Sequence, residues 1–229
     1  MLHKANRIFM EVNRNFEKDF KEAIQFFPKL NYQKNDKEKM WVVSGDLDIC
    51  DQIGDYWETF SVAIYLSYAY PYCTPHVREI SKILKRDDDW HINDEGFCCL
   101  DIEHRMILMV KRGIKLSSFI KDNVYPYFAN QIFKKNDGEY AAGEYRHGFD
   151  GVVQFYKEDL KIKNAILILQ RLISNKLPGR NDCCICGERK KYKFCHMREI
   201  ELLRSLPPEI LKKDLEEFSK LVGSIEDSV

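Results

Sequence analysis

The sequence predicts an α+β protein in which an antiparallel sheet is flanked by helices and followed by a small cysteine-rich segment. Three observations carry this prediction: a helical apolar period near the start, alternating apolar residues in the segments that follow, and clustered cysteines near the end. The 229 residues suffice for one core of roughly 150 residues and an appendage. We therefore predict one domain over residues 1–175 and a separate tail over residues 176–229.

An amphipathic helix opens the predicted domain over residues 5–26. Its apolar residues recur at helical spacing with charges between them: Ile8, Phe9, Val12, Phe16, Phe20, Ala23 and Ile24. Such a stripe needs an apolar surface to cover, and we expect the following strands to supply it.

Four segments then have the composition of strands, and the short connections between them favour an antiparallel meander. They are residues 31–34, 40–48, 57–66 and 77–84, and the charged run at 34–39 predicts a solvated hairpin turn. Pro71 and Pro75 exclude regular pairing after the third strand.

The second half of the domain is predicted to be helical after a long loop. Residues 85–112 show no sustained period and indicate the loop. Helices are expected at 115–134, where Pro126 should bend or restart the helix, and at 151–175. Beyond a breaker at 177–180, a short amphipathic helix should run through Pro207 and Pro208 to residue 222.

Composition excludes several classes of protein. Lys plus Arg equals Asp plus Glu at 36 each, which argues against a uniformly basic nucleic-acid coat. The start resembles no secretory signal, and no window approaches the roughly 20 apolar residues of a membrane span, so we expect a cytoplasmic protein without a membrane partner. The eight cysteines are clustered, which favours metal binding and catalysis by reduced thiols over a disulfide framework.

The stretch over residues 90–103 is the strongest functional signal. It places His91 and Asn93 shortly before Cys98 and Cys99, with Gly96 marking a turn between them. A thiol on an exposed loop with an amide donor nearby is suited to acyl transfer. Two other interpretations stay open. Cys98 and Cys99 could both be small buried packing residues, and His91 could only form hydrogen bonds with the backbone of the loop.

Residues 96–102, Gly-Phe-Cys-Cys-Leu-Asp-Ile, resemble the Gly-x-Ile-Cys-Leu-Asp-Ile stretch of ubiquitin-conjugating enzymes. In that family the cysteine carries ubiquitin as a thioester. The resemblance implies that Cys99 is the nucleophile, while Cys98 stands in the place of isoleucine and is assigned to packing.

Further residues extend the resemblance over roughly residues 5–135. His91-Ile92-Asn93 is similar to the family's His-Pro-Asn tripeptide with its proline replaced, and Tyr70-Pro71 and Pro75 match the family's flap. The resemblance implies that Asn93 stabilises the oxyanion and that His91 is catalytic or braces the loop. Asp122 is only a positional match for the family's acidic residue.

The resemblance also implies protein partners. The segment at residues 143–148, followed by a long helix, is similar to prokaryotic conjugating enzymes of CBASS antiphage operons. Those enzymes attach a nucleotidyltransferase through its C-terminus. The implied function is a transferase that carries the C-terminus of such a CD-NTase nucleotidyltransferase, or of a ubiquitin-like protein, as a thioester on Cys99.

The tail carries a second motif of metal ligands. Cys184-x-Cys186, eight intervening residues and then Cys195-His196 supply four ligands of the types that tetrahedral zinc prefers. The segment resembles the SEC-C motif, whose zinc ligands fall on these four residues and leave Cys183 as a spare. Four protein ligands predict a structural Zn²⁺ without an open coordination position.

Two alternatives to a transferase remain. One is a non-catalytic binding module of the same fold, with an inert Cys99 and a zinc knuckle that recruits a partner. The other is nucleic-acid binding through the basic run at residues 189–193, which we rank last because the charges of the whole chain balance.

Overall fold

The computed structural model describes residues 15–51, 53–140 and 148–226, with side chains to residue 222. A four-stranded antiparallel sheet and several helices confirm the α+β class. The elements in chain order are α1 (15–26), β1 (Leu30–Asn35), β2 (Met40–Cys50), β3 (Tyr56–Ser67), β4 (His76–Glu79), α2 (Glu103–Val110), α3 (Leu116–Phe119), α4 (Tyr125–Asp137), α5 (Phe149–Gln154), α6 (Ala165–Ile173), α7 (Met197–Arg204) and α8 (Pro208–Glu226).

The sheet is a meander with the order β1-β2-β3-β4, as the short connections predict. Asn35 pairs with Met40, which confirms the hairpin turn between them. In the central pair, Val43 lies opposite Ile64 and Leu47 opposite Phe60, so their buried side chains share one face. That face is the one that needs cover.

Helices α1 and α4 provide the cover. Phe16 of α1 stacks on Trp41 with ring centroids 4.5 Å apart, and Phe128 of α4 stacks on Phe60 at 4.6 Å. The described part of α1 confirms the end of the predicted opening helix, whereas residues 5–14 lie outside the described residues.

Tyr70 connects the flap, residues 68–75, to the core. Its ring is buried, its hydroxyl donates to Asp19 of α1, and the same hydroxyl accepts from the backbone N–H of Leu116 at 3.0 Å. Burial is the main reason that the pKa of Tyr70 is raised, so the hydroxyl stays a donor. The flap is thereby fixed to two helices.

Two boundaries around the predicted long loop were wrong. Strand β4 ends at Glu79 rather than at residue 84, and residues 85–112 contain both a 3₁₀ turn (Asp88–Trp90) and helix α2. The apolar residues at 106–110 run together, so the local pattern has no clear period. In the folded chain, burial of Met106 and Val110, which are four residues apart, selects one helical face.

Pro126 lies in the first turn of α4, and the chain stays helical through it. A π-helical segment (Ile120–Val124) connects α3 to α4 immediately before the proline. A widened turn accommodates a residue that has no N–H to donate.

The predicted helix over 151–175 is interrupted and is therefore wrong in its continuity. Helix α5 continues as a π-helical segment (Phe155–Asp159), after which Lys161 adopts a left-handed φ of 55°. Asn164 then caps α6 by accepting from the N–H of Leu167 at 3.0 Å. Similarly, the single helix predicted after residue 180 is two helices, α7 and α8.

The chain divides into two compact units, Met1–Glu144 and Tyr145–Val229, so the division lies earlier than the predicted boundary at residue 175. The reason is that α6 packs against α8 and so belongs to the second unit. In that unit Tyr156 donates to the buried carboxylate of Asp214 at 2.8 Å, and its ring lies 5.1 Å from that of Phe218. Among the described helices, none is both long and apolar enough to cross a membrane.

Candidate functional site

Cys99 lies on the wall of a groove in the first unit. The groove has a volume of about 460 Å³ and is lined by residues 74–77 of the flap and β4, by residues 97–101, and by Glu103, Met106 and Ile107 of α2. Cys99 is exposed, whereas its neighbour Cys98 is half-buried. The sequence motif thus brings one accessible sulfur to a concave surface with mainly apolar walls.

Backbone hydrogen bonds on both sides hold the cysteine segment in place. The N–H of Cys98 donates to the carbonyl of Val77 in β4 at 2.8 Å, and the N–H of Glu79 donates to Gly96 at 2.9 Å. On the other side, the N–H of Cys99 donates to the carbonyl of His91 at 2.8 Å. Strand β4 and the 91–92 segment therefore clamp the loop between them.

Gly96 is required by the close approach of β4. Its φ is 91°, and a Cβ at this position would lie 2.7 Å from the carbonyl oxygen of Glu79. Glu79 is itself buried and forms an ion pair with Arg86, which also donates to the Glu79 carbonyl at 3.0 Å. The backbone at Gly96 is thus packed closely against the ion pair of Glu79 and Arg86.

Helix α4 supports the segment before the cysteines through hydrogen bonds to the carbonyls of residues 89–91. Tyr127 donates to the carbonyls of Trp90 and His91 at 3.2 and 3.1 Å, and Gln131 donates to Trp90 at 3.1 Å. Lys134 donates to the carbonyl of Asp89 and pairs with its carboxylate at 3.0 Å. These three helical residues were not singled out from the sequence, although polar residues spaced four and three apart in an apolar helix are a detectable signal.

The two other predicted catalytic residues both lie at the start of the loop, before the cysteines. The side-chain oxygen of Asn93 accepts from the N–H of Phe97 at 2.8 Å, so it closes the turn over 93–97. Within the described part of the chain no hydrogen bond joins Asn93 to the thiol of Cys99. His91 has a left-handed φ of 50°, and its carbonyl accepts from both Cys99 and Tyr127.

The two neighbouring thiols differ in their electrostatics. Burial raises the pKa of Cys98 to about 12, so that thiol stays protonated. The pKa of Cys99 is also raised, first by partial desolvation and then by the negative charge of Asp101. Cys99 is the more accessible thiol, but within the free protein it is not an activated one.

A second candidate site lies in the tail. The ligand atoms of Cys184, Cys186, Cys195 and His196 all lie within 4.8 Å of one another, so the cluster could hold a metal ion. The Sγ atoms of Cys186 and Cys195 are 3.4 Å apart, and Nδ1 of His196 is 3.2 Å from Sγ of Cys195 and 3.6 Å from Sγ of Cys184. The structure therefore assembles the four predicted ligands and leaves Cys183 exposed.

Local hydrogen bonds prepare these residues for a metal. Nε2 of His196 lies 3.2 Å from the carbonyl of Lys161, which favours the tautomer that presents Nδ1 as a ligand. Burial alone raises the pKa of Cys184, but hydrogen bonds from Cys186 and His196 outweigh it and bring the pKa to about 7. A thiol with that pKa is readily available as a thiolate.

No protein-family model and no curated protein matches the chain.

Proposed function

We propose that this protein is a cysteine-dependent transferase similar to ubiquitin-conjugating enzymes. It carries a protein C-terminus as a thioester on Cys99. The observation that supports the proposal best is that the sulfur assigned by the resemblance is exposed and lines a groove. A catalytic thiol needs both access and a surface that aligns the acyl chain.

The chemistry has two balanced steps. The thiolate of Cys99 attacks the carbonyl carbon of a C-terminus already activated as an ester on another protein, and the activating group leaves with its electron pair. An amine then attacks the thioester carbonyl and loses a proton, and Cys99 leaves as a thiolate. Each step passes through an oxyanion, for which the side-chain N–H of Asn93 is the proposed donor.

The groove supports the first step. Its walls are mainly apolar, with Asp101 and Glu103 at the α2 side. An extended C-terminal tail fits along such a surface and brings its last carbonyl to the sulfur. The raised pKa of Cys99 means that thioester formation becomes faster as the pH rises, or when a bound partner lowers that pKa.

The test uses a carried protein prepared as a C-terminal mercaptoethanesulfonate thioester, so that no activating enzyme is required. Incubation with the chain should give an adduct that dithiothreitol cleaves and that Cys99→Ser abolishes. Cys183→Ser is the matched control, because Cys183 is likewise exposed. Equal adduct yield from Cys99→Ser and from wild type would contradict the proposal.

The proposed carried protein is a CD-NTase nucleotidyltransferase of an antiphage operon, with a ubiquitin-like protein as the other candidate. This assignment is supported only by the resemblance of the sequence to CBASS conjugating enzymes. Preparing each candidate as a thioester and comparing the rates of transfer to Cys99 distinguishes them. Equal rates with an unrelated C-terminus would contradict both assignments.

We further propose that the tail cluster binds Zn²⁺ in a structural role. Three sulfurs and one imidazole nitrogen suit tetrahedral zinc, and four protein ligands leave no coordination position for a substrate. Metal analysis of the purified protein should give one zinc per chain. Cys186→Ser should lower that occupancy, whereas Cys183→Ser should leave it unchanged.

A non-catalytic binding module is the second candidate function. It is favoured by the turn-closing hydrogen bond of Asn93, because a structural use of this residue needs no catalysis. A transferase and a binding module differ in whether an acyl group is transferred to Cys99. A module would show Cys99 alkylation by small reagents but no thioester exchange with any carried protein.

A further inference from the structure

Phe194 is unusual among the described aromatic residues of the second unit because its side chain is exposed. It ends the 3₁₀ turn Tyr192–Phe194 and is 75% exposed, whereas Tyr192 in the same turn is only 4% exposed. Tyr192 therefore anchors the turn in the fold, and Phe194 extends from the same rigid turn into solvent. An exposed aromatic ring on a fixed backbone is suited to stacking.

Three basic residues lie in or next to the turn that carries this ring. The N–H of Lys193 donates to the carbonyl of Arg180 at 3.1 Å, and Lys191 pairs with Cys183 across the same hairpin. The ammonium group of Lys193 lies 4.8 Å from the centroid of the Phe194 ring. These backbone contacts bring the main chain of Arg180 and Lys191 to the turn that carries Phe194, and the Lys193 ammonium group lies over one face of the ring.

Two nearby carboxylates bind groups other than these cations. Glu188 binds Lys190 at 3.1 Å and Lys163 at 3.6 Å, and Asp182 accepts from the N–H of Gly179 at 2.7 Å. Within the part of the chain that the structure describes, no ion pair involves Arg180, Arg189, Lys191 or Lys193. We call these four residues together with Phe194 the knuckle face. This face therefore carries local positive charge although the whole chain is neutral.

We propose that the knuckle face binds single-stranded nucleic acid. Its cations contact successive phosphates, and an unpaired base stacks on the open face of Phe194. A duplex offers no free base face to such a ring, so the aromatic residue selects single strands. The proposal concerns a different site from Cys99 and does not depend on transferase activity.

The test measures fluorescence anisotropy of a labelled 12-nucleotide single strand with the full-length, zinc-loaded protein. Three or four phosphate contacts predict that affinity falls about 20- to 50-fold between 50 and 200 mM salt. Phe194→Ala should weaken binding about 5- to 100-fold, and Phe194→Trp should retain it. Phe26→Ala is the matched control, since Phe26 is 66% exposed on α1.

Charge variants test the phosphate contacts separately. Arg189→Gln and Lys191→Gln should each reduce the salt slope by about 0.7 without changing zinc content. Three results would overturn the proposal. The first is no binding at 50 mM salt, and the second is equal affinity for a duplex together with no effect of Phe194→Ala. The third is that polyglutamate displaces the strand and that its own binding depends on Phe194 to the same degree. The last result would identify an acidic protein surface as the partner.

Discussion

The adjacent residues Cys98 and Cys99 differ in their exposure to solvent. Cys98 is partly buried against the core, where its Sγ contacts the carbonyl of Gly96 at 3.7 Å, and Cys99 lies at the surface beside Asp101. Side chains of an extended segment alternate in direction, so neighbouring residues face opposite environments. One sulfur is consequently inert packing, and the other is accessible to chemistry.

The charge of Asp101 should slow the reaction of Cys99. A neighbouring negative charge raises the pKa of a thiol, so Asp101→Asn should lower that pKa and increase the thiolate fraction at pH 7.5. We expect alkylation by iodoacetamide to become about threefold faster. The alkylation rate of the wild type should rise with pH, and the rate of Asp101→Asn should show the same rise at lower pH. Coinciding curves would show that the carboxylate has no electrostatic effect.

Gly96 should be among the glycines least tolerant of substitution. Gly96→Ala places a Cβ 2.7 Å from the Glu79 carbonyl at a left-handed φ, and we expect a loss of about 2 to 4 kcal/mol in urea unfolding. Gly138→Ala is the matched control, because Gly138 also has positive φ but no atom lies within 4 Å of the added methyl. It should lose only about 1 kcal/mol. Equal losses would exclude the steric argument.

At the scale of elements, α4 serves two purposes. Its apolar face covers the sheet through Phe128, and its polar residues Tyr127, Gln131 and Lys134 bind the carbonyls of residues 89–91. The sequence predicts the first purpose from the helical period. It does not reveal the second, because the acceptors are backbone atoms some forty residues away in the chain.

Loss of one hydroxyl should loosen the loop without unfolding the domain. Tyr127→Phe removes the hydrogen bond to His91, whose carbonyl also holds the N–H of Cys99, and we expect about 1 kcal/mol lower stability. Amide hydrogen exchange at Cys99 should accelerate more than exchange in β2. Tyr32→Phe on the exposed edge strand is the control. Uniform acceleration over the sheet would indicate global destabilisation instead.

Helix α2 could not be predicted from the hydrophobic pattern of its own residues. Its residues carry apolar side chains on consecutive positions, so no period distinguishes helix from loop. Burial of Met106 and Val110 against the first unit's core settles the conformation. The consequence for function is that α2, rather than a loop, forms one wall of the groove beside Cys99.

At the scale of the molecule, two units with separate cores should respond separately to metal removal. The cysteine cluster belongs to the second unit, and all three tryptophans, Trp41, Trp57 and Trp90, lie in the first. Chelation by EDTA should therefore reduce the helical circular dichroism signal while tryptophan emission stays unchanged. Readdition of zinc should restore the signal. A simultaneous change in emission would show that the units unfold together.

The α+β class, the meander and the four clustered candidate metal ligands could be predicted from the sequence, because each depends on neighbouring residues or on a regular period. The sequence also drew attention to the pair of cysteines. Three features became visible only in the folded chain: Cys99 is the exposed cysteine of the pair, it lines a groove, and α6 packs against α8. These features arise from contacts between segments far apart in the chain, which no local pattern encodes.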